Sequence, residues 1–430
     1  MRRLLTNALA TVVAAASLTG SLWSQATPTA TDSVYNPGPV LPVLSDKFKY
    51  SLTATETVQR GDLQSYESTF GSGTLEYQNL SPVTPFSVLY SGGIGYSNLA
   101  NIGVETFHDL TVTQGLVANR WNLGISDSVS YLPNAPVGDL TGVVGLGNQG
   151  ILPPTNPNAP GQTVLSLYGT RVSNSVSGDI QRRITERLTL DGNANYGILR
   201  YLDGNGYDND QIGSMVGATY ELSPRTKIGA NAQYGIYTYP GTTNFQTKGL
   251  NGTWSREMSR SLALSFSGGP QWVSSYTALT FGAPTLTAVQ VPATINFATS
   301  ASLSFSHRYT QAAVTYSRGV NNGSGVQSGG LSNSVMGSVA ESFGRDWSAS
   351  LSANYNTLAG LGVLGSTTNI FSTLQVSRRL GRDVFVYSSA SVEHQQLNSA
   401  LSTTYLLNGT GETFAIGITY SPNSQHPGQF

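Results

Sequence analysis

The sequence predicts an all-β chain closing into a single transmembrane, up-and-down antiparallel β-barrel of about 18 strands, with N and C termini periplasmic. Three observations predict it. Long runs alternate strictly between apolar and polar residues, an arginine-bearing turn recurs along the chain, and the connections are short and long by turns.

The alternation is clearest in Val172–Tyr201. Val172, Val176, Gly178 and Ile180 share one face, with Asn174 as the exception, and Arg171, Ser173, Ser175, Ser177, Asp179 and Gln181 share the other. After the charged Arg182–Arg187 segment the pattern restarts. Leu188, Leu190, Gly192, Ala194, Tyr196 and Ile198 oppose Thr189, Asp191, Asn193 and Asn195. A period of two is the mark of a strand whose sides meet unlike surroundings. Two such strands around a short polar turn make an antiparallel hairpin, each arm long enough to cross a bilayer.

The turn returns at Leu222–Lys227, Glu257–Leu262, Ser306–Gln311, Phe343–Trp347 and Leu380–Phe385. Its arginines are Arg187, Arg225, Arg260, Arg308, Arg345 and Arg382, spaced 38, 35, 48, 37 and 37 residues apart. Two long strands per repeat fit an up-and-down barrel; a propeller blade needs four short ones.

From the start of the chain, Met1–Ala26 reads as a secretory signal peptide. Arg2 and Arg3 precede the apolar Leu4–Leu18, and Ser24-Gln25-Ala26 is a small-x-small cleavage site. Thr27–Asp46, with Pro28, Pro37, Pro39 and Pro42, reads as a Pro-rich periplasmic linker. The barrel is expected over Lys47–Tyr420 and a tail over Ser421–Phe430, where Pro422 and Pro427 forbid a continuing central strand.

Composition agrees. Only 10% of residues are charged, against about 25% in a typical soluble domain. No second apolar run is long enough for a membrane helix, and a barrel hides its membrane signal by alternation. Loss of Met1–Ala26 leaves 20 basic against 23 acidic residues, which does not suggest nucleic acid as a partner. With no cysteine, disulfides and thiolate metal sites are excluded.

Strands are expected at Lys47–Glu56 and then around Tyr77, Leu89, Val112, Ile125, Val172, Leu190, Val216, Ala232, Gly252, Phe266, Leu303, Val314, Val335, Leu351, Val376, Val386 and Ile416. The arginine turns are the short connections and face the periplasm. Long external loops are expected at Thr57–Thr69, Gly93–Val104, Leu132–Thr163, Leu202–Asp210, Tyr239–Asn244, Thr277–Thr294, Gly319–Gly329, Thr357–Thr367 and Gln396–Gly411. Aromatics gather near strand ends, as two interfacial girdles require. Trp121, Tyr220, Trp254, Phe305, Phe343 and Trp347 lie near the turns, and Tyr131, Tyr168, Tyr201, Tyr237 and Trp272 near the loops.

The inner wall decides the chemistry. Asn193, Asn195, Asn231, Gln233, Ser350, Ser352 and Asn354 are the expected pore-lining residues. Hydroxyls and amides suit neutral polar solutes, and no clustered charge for ionic selectivity is visible. The Leu132–Thr163 loop is the expected constriction, with Asp139, Asn148 and Gln149 at the narrowing. Asp203, Asn205, Asp208 and Asp210 are weak metal candidates. The loop fails the EF-hand pattern, having Tyr207 and Asp208 at its fifth and sixth positions and Ser214 at its twelfth. No cofactor motif is present. Four histidines among many serines select no catalytic pair, so no enzyme activity is expected.

The pattern over Lys47–Tyr420 resembles β-barrel porins of Gram-negative outer membranes. It includes the barrels encoded with exopolysaccharide export systems, whose hairpins also read arginine-turn-aromatic with Ser/Asn alternation. The resemblance implies passive passage of a solute or an exported glycan across the outer membrane, and transfers no particular residue. The alternative is a non-conducting surface barrel whose loops bind a ligand. The implied partners are outer-membrane lipid, lipopolysaccharide, the barrel-assembly machinery and periplasmic export proteins. The last strand, with Phe414, Ile416, Ile418 and Tyr420 on one face, resembles the C-terminal assembly signal of such barrels.

Overall fold

The computed structural model describes residues 48–61, 65–79, 81–98, 103–132, 170–203, 208–239, 243–279, 287–323, 328–344, 346–360, 366–397 and 408–422. The expected signal peptide, linker and distal tail lie outside them. So do most of the expected constriction loop, with Asp139, Asn148 and Gln149, and the Asn205 position.

Eighteen strands form one sheet in which each pairs antiparallel with the next, and the last pairs with the first. The first hairpins are β1 (Phe48–Gly61), β2 (Ser65–Asn79), β3 (Phe86–Ser97), β4 (Gly103–Ala118), β5 (Trp121–Leu132) and β6 (Arg171–Arg183). Next come β7 (Leu188–Tyr201), β8 (Asn209–Ser223), β9 (Thr226–Thr238), β10 (Thr243–Glu257), β11 (Leu262–Leu279) and β12 (Thr287–His307). The wall is completed by β13 (Thr310–Gly323), β14 (Ser328–Phe343), β15 (Trp347–Gly360), β16 (Ser366–Arg379), β17 (Val384–Leu397) and β18 (Gly409–Tyr420). Every expected strand centre falls inside one of these strands. Closure satisfies the edge strands that an open sheet would leave exposed.

The strands run further than the sequence suggests at the long-loop end. Thr57–Thr69 is expected as a loop, yet β1 continues to Gly61 and β2 begins at Ser65. The Thr57↔Ser68 and Gln59↔Tyr66 pairs continue the ladder there. Thr277–Thr294 likewise contains the ends of β11 and β12. Backbone pairing extends the hairpins past the point where the side-chain pattern fades.

One seam interrupts this regularity. β12 and β13 pair only from Thr299↔Arg318 to His307↔Thr310. Beyond it the Val320 amide donates instead to the Gln271 side-chain oxygen of β11 at 3.0 Å. Val320 packs inward with Val273, Phe245, Tyr237 and Tyr239.

The outside is apolar. Leu190, Val216, Ile295, Leu303, Leu351 and Leu374 are 42, 68, 69, 43, 47 and 46% exposed, while the residues between them turn inward. A closed wall with apolar groups outside and polar groups inside belongs in an outer membrane. At the short-turn end Trp121, Tyr220, Phe305 and Phe343 are exposed on the outer face. There Arg182 stacks over Trp121 at 4.7 Å and Arg378 over Trp347 at 5.1 Å, so these arginines cap the aromatic rim.

Candidate functional site: the lumen wall

Asn193, Asn195, Asn231, Gln233, Ser350, Ser352 and Asn354 all lie on the inward face, since their strand neighbours are the exposed apolar residues. They do not share one environment. Asn193, Asn231, Gln233, Ser350 and Ser352 are half-buried, whereas Asn195 and Asn354 are buried.

Cross-strand hydrogen bonds hold this wall. The Ser265 and Ser302 hydroxyls meet at 2.7 Å, and Ser267 and Ser300 at 2.8 Å. Asn251 donates to Asn231 Oδ1 at 3.2 Å, and Asn193 to the Gly178 carbonyl at 3.2 Å. Ser334 donates to Asn354 at 3.1 Å and Ser332 to Asn356 at 2.9 Å. The Ser265–Ser302, Ser267–Ser300 and Asn251–Asn231 pairs lie directly opposite in the ladder and the others diagonally, both within reach of short polar side chains.

The long-loop half of the lumen is different. Inward side chains there are large and buried. Tyr237 stacks on Phe245 with centroids 4.5 Å apart, and Tyr239 on Phe245 at 6.1 Å. A second cluster joins Phe70, Phe107 and Leu132. At this end Tyr66 hydrogen-bonds Gln59, while Tyr387, near the short-turn end of β17, is also large, inward and buried and hydrogen-bonds Thr55.

These groups lie flat on glycines of the next strand. A Cβ at Gly95 would strike the Phe70 ring, one at Gly93 the Phe107 ring, and one at Gly417 the Tyr387 ring. Glycine thus gives the wall the depth to take a large inward residue.

Two expectations are corrected here. Tyr201 and Tyr237 were expected in the outer aromatic girdle, but they are 7 and 4% exposed and point inward. Strand parity explains it: the outward residues of β7 and β9 are even-numbered, as Leu190, Tyr196, Ile228 and Tyr234 show. The inner wall is also not free of grouped charge. Asp179 and Asp191 face inward on β6 and β7, diagonal across the Asp179↔Asn193 and Gln181↔Asp191 pairs. Glu76, Asp109, Arg171 and Glu393 are inward as well.

The acidic loop is engaged by the chain itself. Arg200 Nη2 meets Asp210 Oδ1 at 2.5 Å, and its Nε lies 3.9 Å from Asp208 Oδ2. Asp208 also accepts the Tyr201 amide at 3.0 Å, and Asp203 accepts the Thr170 amide at 3.1 Å. No group of three or more potential metal ligands occurs among the described residues. Of the histidines, His108 hydrogen-bonds Tyr90 at 2.8 Å and His394 hydrogen-bonds Thr410 at 2.9 Å, all on the outer face.

The sequence pattern did flag one further position. Asn174, the exception on the apolar face of β6, donates to Asp127 Oδ1 of β5 at 2.7 Å. Both are outward, among Ile125, Val129 and Val176, which are 61, 39 and 38% exposed. This is a polar pair within the lipid-facing band.

No family model and no curated protein sequence matches the chain. Several solved structures match it over most of its length at low identity. The crystal structure of Pseudomonas aeruginosa OpdQ has a TM-score of 0.43 and 12% identity, covering 88% of this chain and 99% of that one. Pseudomonas aeruginosa OccK2 (OpdF) in complex with glucuronate gives 0.43 and 13%, covering 87% and 97%. Acinetobacter baumannii OccAB3 gives 0.41 and 10%, covering 88% and 100%. The likeness concerns the fold, and it gives no support to the exopolysaccharide-export subtype that the sequence pattern resembles.

Proposed function

We propose that the protein is an outer-membrane channel for passive passage of small polar solutes. The observation that carries this reading is the half-exposed hydroxyl and amide wall in the short-turn half of an 18-strand barrel. Barrels of this circumference enclose an aqueous lumen unless something fills it. Hydroxyls and amides exchange hydrogen bonds with a passing solute without holding it strongly. The solute narrows to small molecules, because large inward aromatics crowd the other half of the lumen. Outer-membrane lipid and lipopolysaccharide surround the apolar band, and β18 is the strand offered to the assembly machinery.

The test is single-channel recording of the purified barrel in a planar bilayer. Discrete conductance steps are expected, and neutral solutes small enough to pass the aromatic half should swell liposomes carrying the barrel. A correctly folded, heat-modifiable barrel with neither property overturns the reading. The surface-binding alternative then takes over, and the buried clusters Phe70–Phe107–Leu132 and Tyr237–Phe245 would be its plug.

A further inference from the structure

Glu393 stands out on the inner wall. It lies on β17 between Val392, which is 48% exposed outside, and the outward His394, so its side chain turns into the barrel. That side chain is only 5% exposed. Its Oε2 makes no hydrogen bond. The ion pairs among the described residues join Arg200 to Asp208 and Asp210, and Lys227 to Glu221, all on other strands. A carboxylate withdrawn from water and left without a counter-charge is costly, and either a proton or a bound cation relieves that cost.

Its inward neighbours in the ladder carry no charge. In the ladder Glu393 lies opposite Gly411 on one side and Phe371 on the other, and Gly411 in turn lies opposite Gly61. Glu393 Oε1 sits at 2.8 Å from where a Gly411 Cβ would be, so the carboxylate rests on bare backbone. The two glycines leave a notch in the wall, and the Glu393 side chain lies in it over Gly411. The adjacent inward residues are Gln395, Ser391 and Thr413, all neutral oxygen-bearing groups. One row below, Thr373 lies opposite Ser391 and its buried hydroxyl has no hydrogen-bond partner. The nearby guanidinium of Arg60 belongs to the outer face, opposite Glu412, and does not enter the notch.

We propose that Glu393 and the Gly411–Gly61 notch form a cation subsite on the lumen wall, taking an alkali ion or the ammonium group of a passing solute. The subsite rests on the channel reading for its access. It adds a buried point of charge recognition to a wall that also carries Asp179, Asp191, Glu76, Asp109 and Arg171. Phe371, 2% exposed, supplies an apolar wall beside the carboxylate, which suits the methylene chain behind an ammonium group.

Two measurements on the full barrel test this. Reversal potentials in a KCl gradient read the cation-to-anion permeability ratio. Calorimetric titration of the detergent-solubilised barrel with butylammonium chloride reads a site whether or not the barrel conducts, with butanol as the uncharged control. Glu393→Gln is expected to lower the permeability ratio about threefold or more. It should also weaken butylammonium about tenfold, the loss of one charge-assisted hydrogen bond. Gly411→Ala keeps the carboxylate but fills its notch, and should weaken butylammonium in the same direction. A changed permeability ratio with unchanged butylammonium binding assigns the subsite to the alkali ion, and changes in both assign it to ammonium solutes. Absence of conductance with intact, Glu393-dependent binding removes the channel reading and keeps the subsite. The subsite is overturned if Glu393→Gln folds normally and changes neither measurement, as a protonated Glu393 would require. It is equally overturned if Asp191→Asn, at a half-buried carboxylate elsewhere on the wall, has the same effect on both.

Discussion

Leu351 and Ser352 are consecutive residues that the barrel sends to opposite solvents, so one substitution made at each isolates the wall's polarity. Leu351 is 47% exposed on the outer face, between Val339 of β14 and Leu374 of β16, which are 45 and 46% exposed. It stands four residues above Trp347 at the short-turn rim. At a rise of about 3.3 Å and a tilt of about 40°, that is roughly 10 Å into an apolar band about 25 Å tall. Leu351→Arg therefore places a guanidinium near the midplane, at a cost of about 2–4 kcal/mol. That is a factor of roughly 30 to 800 in the folding equilibrium. Ser352→Arg puts the same group in the lumen and should cost less than about 1 kcal/mol. Urea titration of folding into phosphatidylcholine vesicles, followed by tryptophan fluorescence, reads both. Equal costs at the two positions, or a larger one at Ser352, would refute the assignment of faces. Asn354 does not serve as the lumen control that the sequence pattern suggests. It is 3% exposed and accepts the Ser334 hydroxyl, so Asn354→Arg should cost about 1–3 kcal/mol.

Phe245→Ala removes a fully buried ring from the stack with Tyr237 and Tyr239, and should raise single-channel conductance while lowering stability in the same urea titration by about 3–5 kcal/mol. Replacing both members of the lipid-facing pair, Asp127→Val with Asn174→Val, should stabilise the barrel in vesicles by about 1–4 kcal/mol, whereas Asn174→Val alone should destabilise it by stranding the carboxyl. Gly269→Ala should prevent recovery of a heat-modifiable band, because the added methyl meets the Leu250 carbonyl and backbone; Gly71→Ala, with nothing within 4 Å, should leave that band unchanged.

What the sequence made legible was whatever repeats. All eighteen strands, their antiparallel order and the lipid face followed from a period of two and from recurring turns, because a bilayer on one side and water on the other write the same pattern into every strand. Pore-wall positions such as Asn231 and Ser352 were read by the same parity. The pattern weakens where the lumen narrows, since an inward Phe245 or Tyr387 breaks the simple contrast of apolar outside and polar inside. Tyr201 and Tyr237 lie near strand ends, where an aromatic girdle is expected, yet their parity turns them inward. The pairing of Asp127 with Asn174 was half visible, in that Asn174 was an exception without a partner. Its partner is 47 residues away, and only the register of β5 on β6 brings them together.

The glycines connect these observations. Forty-eight in the chain would weaken an ordinary sheet, since each contributes flexibility to the unfolded state and no side chain to the folded one. In this barrel several of them are the floor on which an inward side chain of the neighbouring strand lies: Gly95 under Phe70, Gly93 under Phe107, Gly417 under Tyr387, Gly411 under Glu393 and Gly249 under Gln233. A large side chain that lies on glycine occupies the wall's own thickness and less of the lumen. The chain can therefore carry aromatic, acidic and amide groups on its inner face without filling the barrel. What distinguishes one stretch of the path from another is then set by pairs of positions on adjacent strands, a large residue and its glycine, rather than by single residues. A substitution at the glycine should alter passage as strongly as one at its partner.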